Sequence, residues 1–230
     1  MLFRSRPLPG GHRSAVWLVQ SASGLVVAKS TKHGKAALEW LAPVQQAARA
    51  AGFIVPHLHR TVAGDLRSQG WMVEDWVEGH PFAAADMARL HAQVRAFHKS
   101  VPAMPQRPGF ASLPARILGY ASDDPDLAAL PSAIAALCLA AWQPFVATPT
   151  HAIHGDITAA NLIHTPTGPA LIDWDEARVD LPFLDFVHLK ALPRNQSRAH
   201  LAHEVVCSWQ VEPDYARDCA RRLSSPPFSV

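Results

Sequence analysis

Residues 151–185 read HAIHGDITAANLIHTPTGPALIDWDEARVDLPFLD, and the rest of the chain has to be built around them. Two polar clusters, His154-Gly155-Asp156 with Asn161 and then Asp173-Trp174-Asp175, are set in otherwise apolar text. Between them, residues 161–164 and 170–172 read as short strands. The turn residues Pro166, Thr167, Gly168 and Pro169 join them, which predicts a hairpin. Such a hairpin sets Asn161 beside Asp173 at its open end, with Asp156 on the loop before it. Asn and Asp oxygens suit Mg²⁺, which keeps several waters and takes few protein ligands. A further acceptor oxygen can receive the proton of an attacking hydroxyl. A loop whose Asp and Asn only cap turns would explain either cluster alone, but not both at this spacing.

Asp156, with Asn161 five residues on and Asp173 twelve beyond that, resembles the catalytic and metal-binding loops of protein-kinase-like phosphotransferases. The wording His-Gly-Asp-x-x-x-x-Asn followed by Ile-Asp-Trp-Asp is similar to the aminoglycoside phosphotransferase and choline kinase branch, which phosphorylates small molecules. Protein kinases usually carry Arg where this chain has Gly155, and Ser/Thr kinases carry Lys where it has Thr158. The stretch from Asp175 to Asp185 is also too short for a long activation loop. The resemblance implies an α+β, protein-kinase-like two-lobed fold, with a small β-rich N-lobe over residues 1–79 and a mainly helical C-lobe over 80–230. It implies ATP or GTP as donor, Mg²⁺ held by Asn161 and Asp173, and Asp156 as catalytic base. Asp175 is either a second metal ligand or a substrate contact. Asp185 matches an aspartate that ties the next helix to the catalytic loop.

Residues 16–19 and 25–28 look like strands around a turn at 21–24. Gly10-Gly11 precedes them, so backbone N–H groups there could approach phosphate oxygens with no Cβ in the way. No Gly-Lys-Ser/Thr follows, so this is not a Walker A loop. Lys29 ends the second strand, and the resemblance makes it the lysine that holds nucleotide phosphates. Residues 35–52 are helical in character and stop at Gly52. Glu39 is the one glutamate available there to pair with Lys29. The connection is short, and Pro43 breaks or restarts the helix: either Glu39 sits on a short first segment, or Pro43 is the first residue of a separate helix. Residues 71–79 resemble the family's hinge, which makes the backbone of Asp75, Trp76 and Val77 the expected adenine contact, with Trp76 either closing that pocket or merely packing.

Beyond Gly79 the text turns helical. Residues 86–101 carry apolar positions at three- and four-residue steps, which predicts an amphipathic helix with His91 and His98 packed near its stripe. Asp124-Pro125 reads as a helix start, and 126–142 and 200–222 as further helices. With 49% hydrophobic residues the chain can bury a sizeable core. A formal charge of +2 and the lack of any like-charge block argue against nucleic acid or a membrane surface as partner. Three cysteines without CxxC spacing disfavour a disulfide framework or zinc site, and no signal-peptide or membrane-length apolar run is present. A cytoplasmic protein is expected. The thirteen histidines admit a zinc-dependent hydrolase through His151/His154 or His200/His203, but no spacing names a third ligand. A catalytically silent nucleotide-binding protein on the same fold is the other alternative. From Glu176 onward acids and bases match one for one. A polycationic acceptor needs an excess of carboxylates, so a small hydroxylated acceptor that is neutral, singly charged or anionic is expected.

Overall fold

In the computed structural model, which describes residues 5–8, 14–120 and 127–225, the chain opens with three antiparallel strands, β1 (Ser5–Pro7), β2 (Val16–Ser21) and β3 (Gly24–Ser30). Ala22 and Ser23 form the turn between β2 and β3. Gly24 leaves it at φ +126°, a backbone region that a Cβ disfavours. Two helices follow, α1 (Lys35–Glu39) and α2 (Leu41–Ala50). Pro43 falls in the first turn of α2, where backbone N–H groups have no helical acceptor, so its missing N–H costs nothing. Glu39 therefore ends a short first segment, and Pro43 lies just inside the second. Gly52, at φ +90°, carries the chain out of α2.

Strand β4 (Trp71–Asp75) pairs with β3 and completes a sheet of order β1-β2-β3-β4. Its register sets Lys29 opposite Met72 and Val27 opposite Glu74. Residues directly opposite in an antiparallel pair share a face, so Val27, Lys29, Met72 and Glu74 all project to the same side. The short β5 (His80–Pro81) comes next, then a 3₁₀ stretch Ala84–Leu90 running into α3 (His91–Ser100). Met87, Leu90, Val94 and Phe97 are buried as the periodicity predicts, while His91 and His98 are half-buried at the margin of that stripe.

Further along come α4 (Leu113–Ile117), α5 (Ser132–Trp142) and β6 (His151–Ile153), then the hairpin of β7 (Leu162–Thr165) and β8 (Gly168–Leu171). Strand β9 (Arg178–Asp180) and helices α6 (Arg194–Ser208) and α7 (Pro213–Ser224) complete the described chain. The hairpin joins β5 in a sheet of order β5-β7-β8, and β6 pairs with β9. The chain is thus α+β, with a β-sheet in its N-terminal part and helices in its C-terminal part. Gly10, Gly11 and the expected helix start at Asp124-Pro125 lie outside the described residues.

Contacts group the chain into two compact units, Met1–Pro102 with Ile157–Asp175, and Ala103–Asp156 with Glu176–Val230. The first contains the four-stranded sheet, α1 to α3 and the hairpin. The second is organised by an apolar core in which Trp142, Ile153, Leu181, Ala199, Val205, Cys219 and Leu223 are buried together. Trp142 sits at its centre and donates its indole N–H to the Ala199 carbonyl at 3.0 Å, so its one polar atom is satisfied. Cys138, Cys207 and Cys219 are free thiols. Among the described residues no helix is long and apolar enough to cross a membrane.

Candidate active site

The hairpin register pairs Leu162 with Leu171, and the Ile172 N–H continues the ladder by donating to the Asn161 carbonyl at 3.0 Å. Asn161 and Asp173 are thus brought to the same open end, one residue out of register. Asp173 has φ +61°, a left-handed conformation that Asp tolerates better than most side chains. A single 3₁₀ turn, Trp174–Glu176, follows. Trp174 is the inward anchor of that turn: it is buried, its indole N–H donates to Leu171 O at 3.1 Å, and the Phe97 ring meets it edge-on. The aspartates on either side, Asp173 and Asp175, stay partly exposed. An apolar residue between two carboxylates therefore holds both of them outward.

Both carboxylates meet Lys29. Its side chain is buried, and its ammonium lies 2.5 Å from Asp173 Oδ1 and 2.9 Å from Asp175 Oδ2. Burial acts to lower the lysine pKa, but Asp175 and then Asp173 more than reverse it, so the ammonium stays charged well above the ordinary lysine range. Removing both aspartates would leave an uncompensated buried ammonium. The donor set at this end of the hairpin is the Asn161 side chain with the Asp173 and Asp175 carboxylates, all hard oxygens, which fits Mg²⁺. Among the described residues no group of three or more His, Cys, Asp and Glu side chains is placed to hold a metal ion, so the histidine pairs gain no third ligand of that kind.

Glu39 is not brought to Lys29. Its carboxylate takes a two-pronged bond from Arg60, with both N···O distances 2.8 Å, on the surface. The reason is local. The connection from β3 is short, α1 has only five residues, and Glu39 is the last of them, whereas Arg60 offers a planar fork that matches a carboxylate. A different glutamate shares the sheet face of Lys29, namely Glu74. Burial pushes its carboxyl up to about 7; Lys29 pulls the other way, and Asp173, Asp175 and Asp75 add to the rise.

At the end of β4 the Asp75 N–H donates to His57 O at 3.1 Å, and its carboxylate takes bonds from the His57 N–H at 3.2 Å and from His59 Nε2 at 2.8 Å. Asp75 is therefore tied into the segment beside it. Trp76 and Val77 lie just past the strand, half-buried.

The His154-Gly155-Asp156 loop lies at the end of β6 in the second unit. Asp185, fully buried, accepts the His154 N–H at 2.9 Å with one oxygen and the Gly155 N–H at 2.7 Å with the other. The His154 ring, also fully buried, accepts the Asp156 N–H at Nδ1, 3.2 Å away. Three successive backbone donors are thus satisfied by two side chains, which holds Asp156 at the tip of a rigid turn. Gly155 has φ +86°, and a Cβ on it would come within 2.5 Å of Glu176 O and 2.8 Å of Arg178 Nη1. Arg178 is buried too, bonded to Asp180 at 2.8 Å and to Glu176 O at 2.8 Å. Asp180 in turn accepts the Leu113 and Leu181 N–H groups, each at 2.9 Å.

The model of the phosphotransferase enzyme family matches residues 4–220. The chain belongs to that family. Among solved structures, a thermostable mutant of the aminoglycoside phosphotransferase APH(4)-Ia in its apo form is similar over 96% of this chain and 92% of its own, with TM-score 0.66 and 13% identity. A choline/ethanolamine kinase family protein from Mesorhizobium loti covers 97% and 89%, with TM-score 0.56 and 16% identity. A putative fructosamine-3-kinase from Thermobifida fusca covers 96% and 93%, with TM-score 0.56 and 16% identity. At these identities the likeness is one of fold, that of protein-kinase-like phosphotransferases. No curated protein matches the chain.

Within this phosphotransferase, sequence motifs alone assigned no role to Glu74 and did not foresee the Lys29–Asp175 contact. Strand parity would have found the first, since Glu74 lies two positions from Met72, the residue opposite Lys29. Asp175 has no such signal. Its approach to Lys29 depends on the left-handed step at Asp173, which no spacing rule reveals.

Proposed function

We propose that this phosphotransferase moves the γ-phosphoryl group of ATP or GTP to a hydroxyl of a small molecule. The observation that carries the reading is the buried Lys29 ammonium against both aspartates of the Asp173-Trp174-Asp175 loop, the nearer of them 144 residues away in sequence. A cation and two carboxylates gathered at strand ends are what a nucleotide's phosphates and their metal require, and the family reading is consistent with it. Among solved relatives of the fold, a spectinomycin phosphotransferase was crystallised with ADP and spectinomycin.

In this reading Lys29 binds phosphate oxygens, and Asn161 and Asp173 hold Mg²⁺, with Asp175 as a further ligand. Magnesium held there would offset the charge of the phosphates. The backbone of Trp76 and Val77 receives the adenine edge, with Asp75 fixing the end of that strand. The phosphate role expected of Gly10 and Gly11 falls on residues outside the described ones. Glu39, held by Arg60, drops out as the partner of Lys29. Asp156 orients the acceptor hydroxyl and takes its proton, and the three backbone bonds of its loop hold that turn in place. The lobes divide at Gly79, with Lys29 and the adenine contact before it and Asp156 and the metal loop after it, in the cytoplasm.

Calorimetric titration of ATP and GTP with and without Mg²⁺ tests the nucleotide half. Mg²⁺-dependent binding that weakens at least tenfold in Lys29→Ala is expected. Binding indifferent to both Mg²⁺ and Lys29 would point to another ligand.

A further inference from the structure

The one-for-one match of acids and bases beyond Glu176 does not survive in three dimensions. Asp180 and Glu176 are taken by Arg178, Asp214 by Arg217 and Asp218 by Arg221. Asp185 is committed to backbone N–H groups, and Glu204 to His200 and the Tyr215 hydroxyl. Of the bases Lys190, Arg194, Arg198 and Arg222 are left over, and of the acids Glu212. Among the described residues none of the four has a carboxylate within ion-pair distance; Lys190 lies over the Phe186 ring.

These four cations are gathered, not scattered. All of them line one pocket of about 350 Å³ within the second unit, together with Ser197 and His200, and no Asp or Glu is among its lining residues. Arg194 and Arg198 are one turn apart on α6 and also border a neighbouring pocket of about 400 Å³. Like charges at that spacing repel. Arg194 is moreover the first residue of a fifteen-residue helix whose first turn contains no acid. The positive end of the helix dipole lies there, so cations are placed where an anion is favoured. Repulsion from the dipole and from three other cations opposes this arrangement in the protein by itself, and an anionic ligand relieves every one of those terms.

The wall of this pocket begins at Val187, two residues beyond the Asp185 carboxylate that grips the loop bearing Asp156. The pocket and the loop bearing Asp156 thus belong to the same compact unit. We propose that the pocket lined by Lys190, Arg194, Arg198 and Arg222 binds an anionic group, phosphate or carboxylate, of the hydroxylated acceptor. This rests on the phosphotransferase reading above for the identity of the ligand, though not for the existence of the site. The acceptor class it names is an acidic alcohol: a phosphorylated or carboxylated polyol, not an amine sugar.

The test compares wild type with the double variant Arg194→Glu/Arg198→Glu, both saturated with Mg²⁺-ADP so that the nucleotide site is filled. Citrate and inorganic phosphate are titrated into each by calorimetry, which separates carboxylate from phosphate preference. Wild type should bind at least one of them at millimolar concentration or tighter, and the variant at least tenfold more weakly, with ADP affinity and melting temperature unchanged. A second variant, Arg217→Glu, whose partner Asp214 lies outside this pocket, should bind as wild type does. Equal anion affinity in wild type and double variant, or no binding to either, overturns the proposal. An ADP-release screen with matched hydroxy acids, sugar phosphates and neutral polyols then assigns the acceptor. Turnover of neutral polyols with a KM unmoved by the double substitution overturns the pocket's role in catalysis. Failure of wild type to bind Mg²⁺-ADP would instead count against the phosphotransferase reading, and the anion titration would be read without it.

Discussion

Asp156 sits in a loop held by backbone bonds through His154 and Asp185. Asp156→Asn should therefore lower kcat by about 10²–10⁴-fold, the usual contribution of a general base, while nucleotide affinity stays within twofold or so. Steady-state kinetics with calorimetry on the same preparation checks both halves. Asp173 is the opposite case, a carboxylate facing a cation. Asp173→Ala should weaken Mg²⁺-nucleotide binding by tenfold or more, and equal affinities would remove it from the metal site. Gly155 tolerates no side chain, because a Cβ would press on Glu176 O and Arg178 at a positive φ. Gly155→Ala should cost about 2–4 kcal/mol in denaturant unfolding, from backbone strain together with overpacking. Glu74 gives a pH signature. Its folded pKa of about 7 lies above the unfolded value near 4.5, so the folded state keeps a proton that the unfolded state releases. Stability from this group is full below about pH 4.5 and is lost as pH rises toward 7. The nucleotide-free Glu74→Gln variant should match wild type near pH 4.5 and exceed it by up to about 3 kcal/mol at pH 8. A stability difference that does not change with pH would remove the buried-carboxyl account.

At the scale of elements, the hairpin was legible because turn residues bracket two short apolar runs, and β7–β8 follows that reading closely. The pairing of β6 with β9 was not, since three-residue strands separated by the whole hairpin leave no periodicity to detect. The helix after β3 shows the limit of composition. An alanine-rich run reads as one helix with a proline fault, and the fault proves to be a boundary one turn earlier, at Trp40. Glu39 is the only glutamate on that run, yet what decides its partner is Arg60, a residue on a later loop with no sequence mark of its own. The Asp173-Trp174-Asp175 turn lies between these extremes. Its residues read as a metal loop, while the alternation that buries Trp174 and turns both aspartates toward Lys29 arises only in the fold.

For the whole molecule, membership of the phosphotransferase enzyme family agrees with the resemblance seen in the catalytic and metal loops, and the α+β fold follows from it. Net charge was the least informative quantity. The +2 total and the balanced C-terminal count conceal four cations grouped in one pocket, because pairing is decided in space. Acceptor choice belongs to this scale, and so does the test of the central claim, that the chain transfers phosphoryl groups to a small-molecule hydroxyl through Asp156. The most direct measurement follows ADP release and acceptor mass together, with Mg²⁺ present, for wild type and Asp156→Asn across a panel of hydroxylated compounds. The account predicts acceptor-dependent ADP release, one phosphoryl group added to the acceptor, and a variant slower by about a hundredfold or more with nucleotide affinity intact. ADP release that ignores every acceptor, or that proceeds equally in the variant, would contradict it.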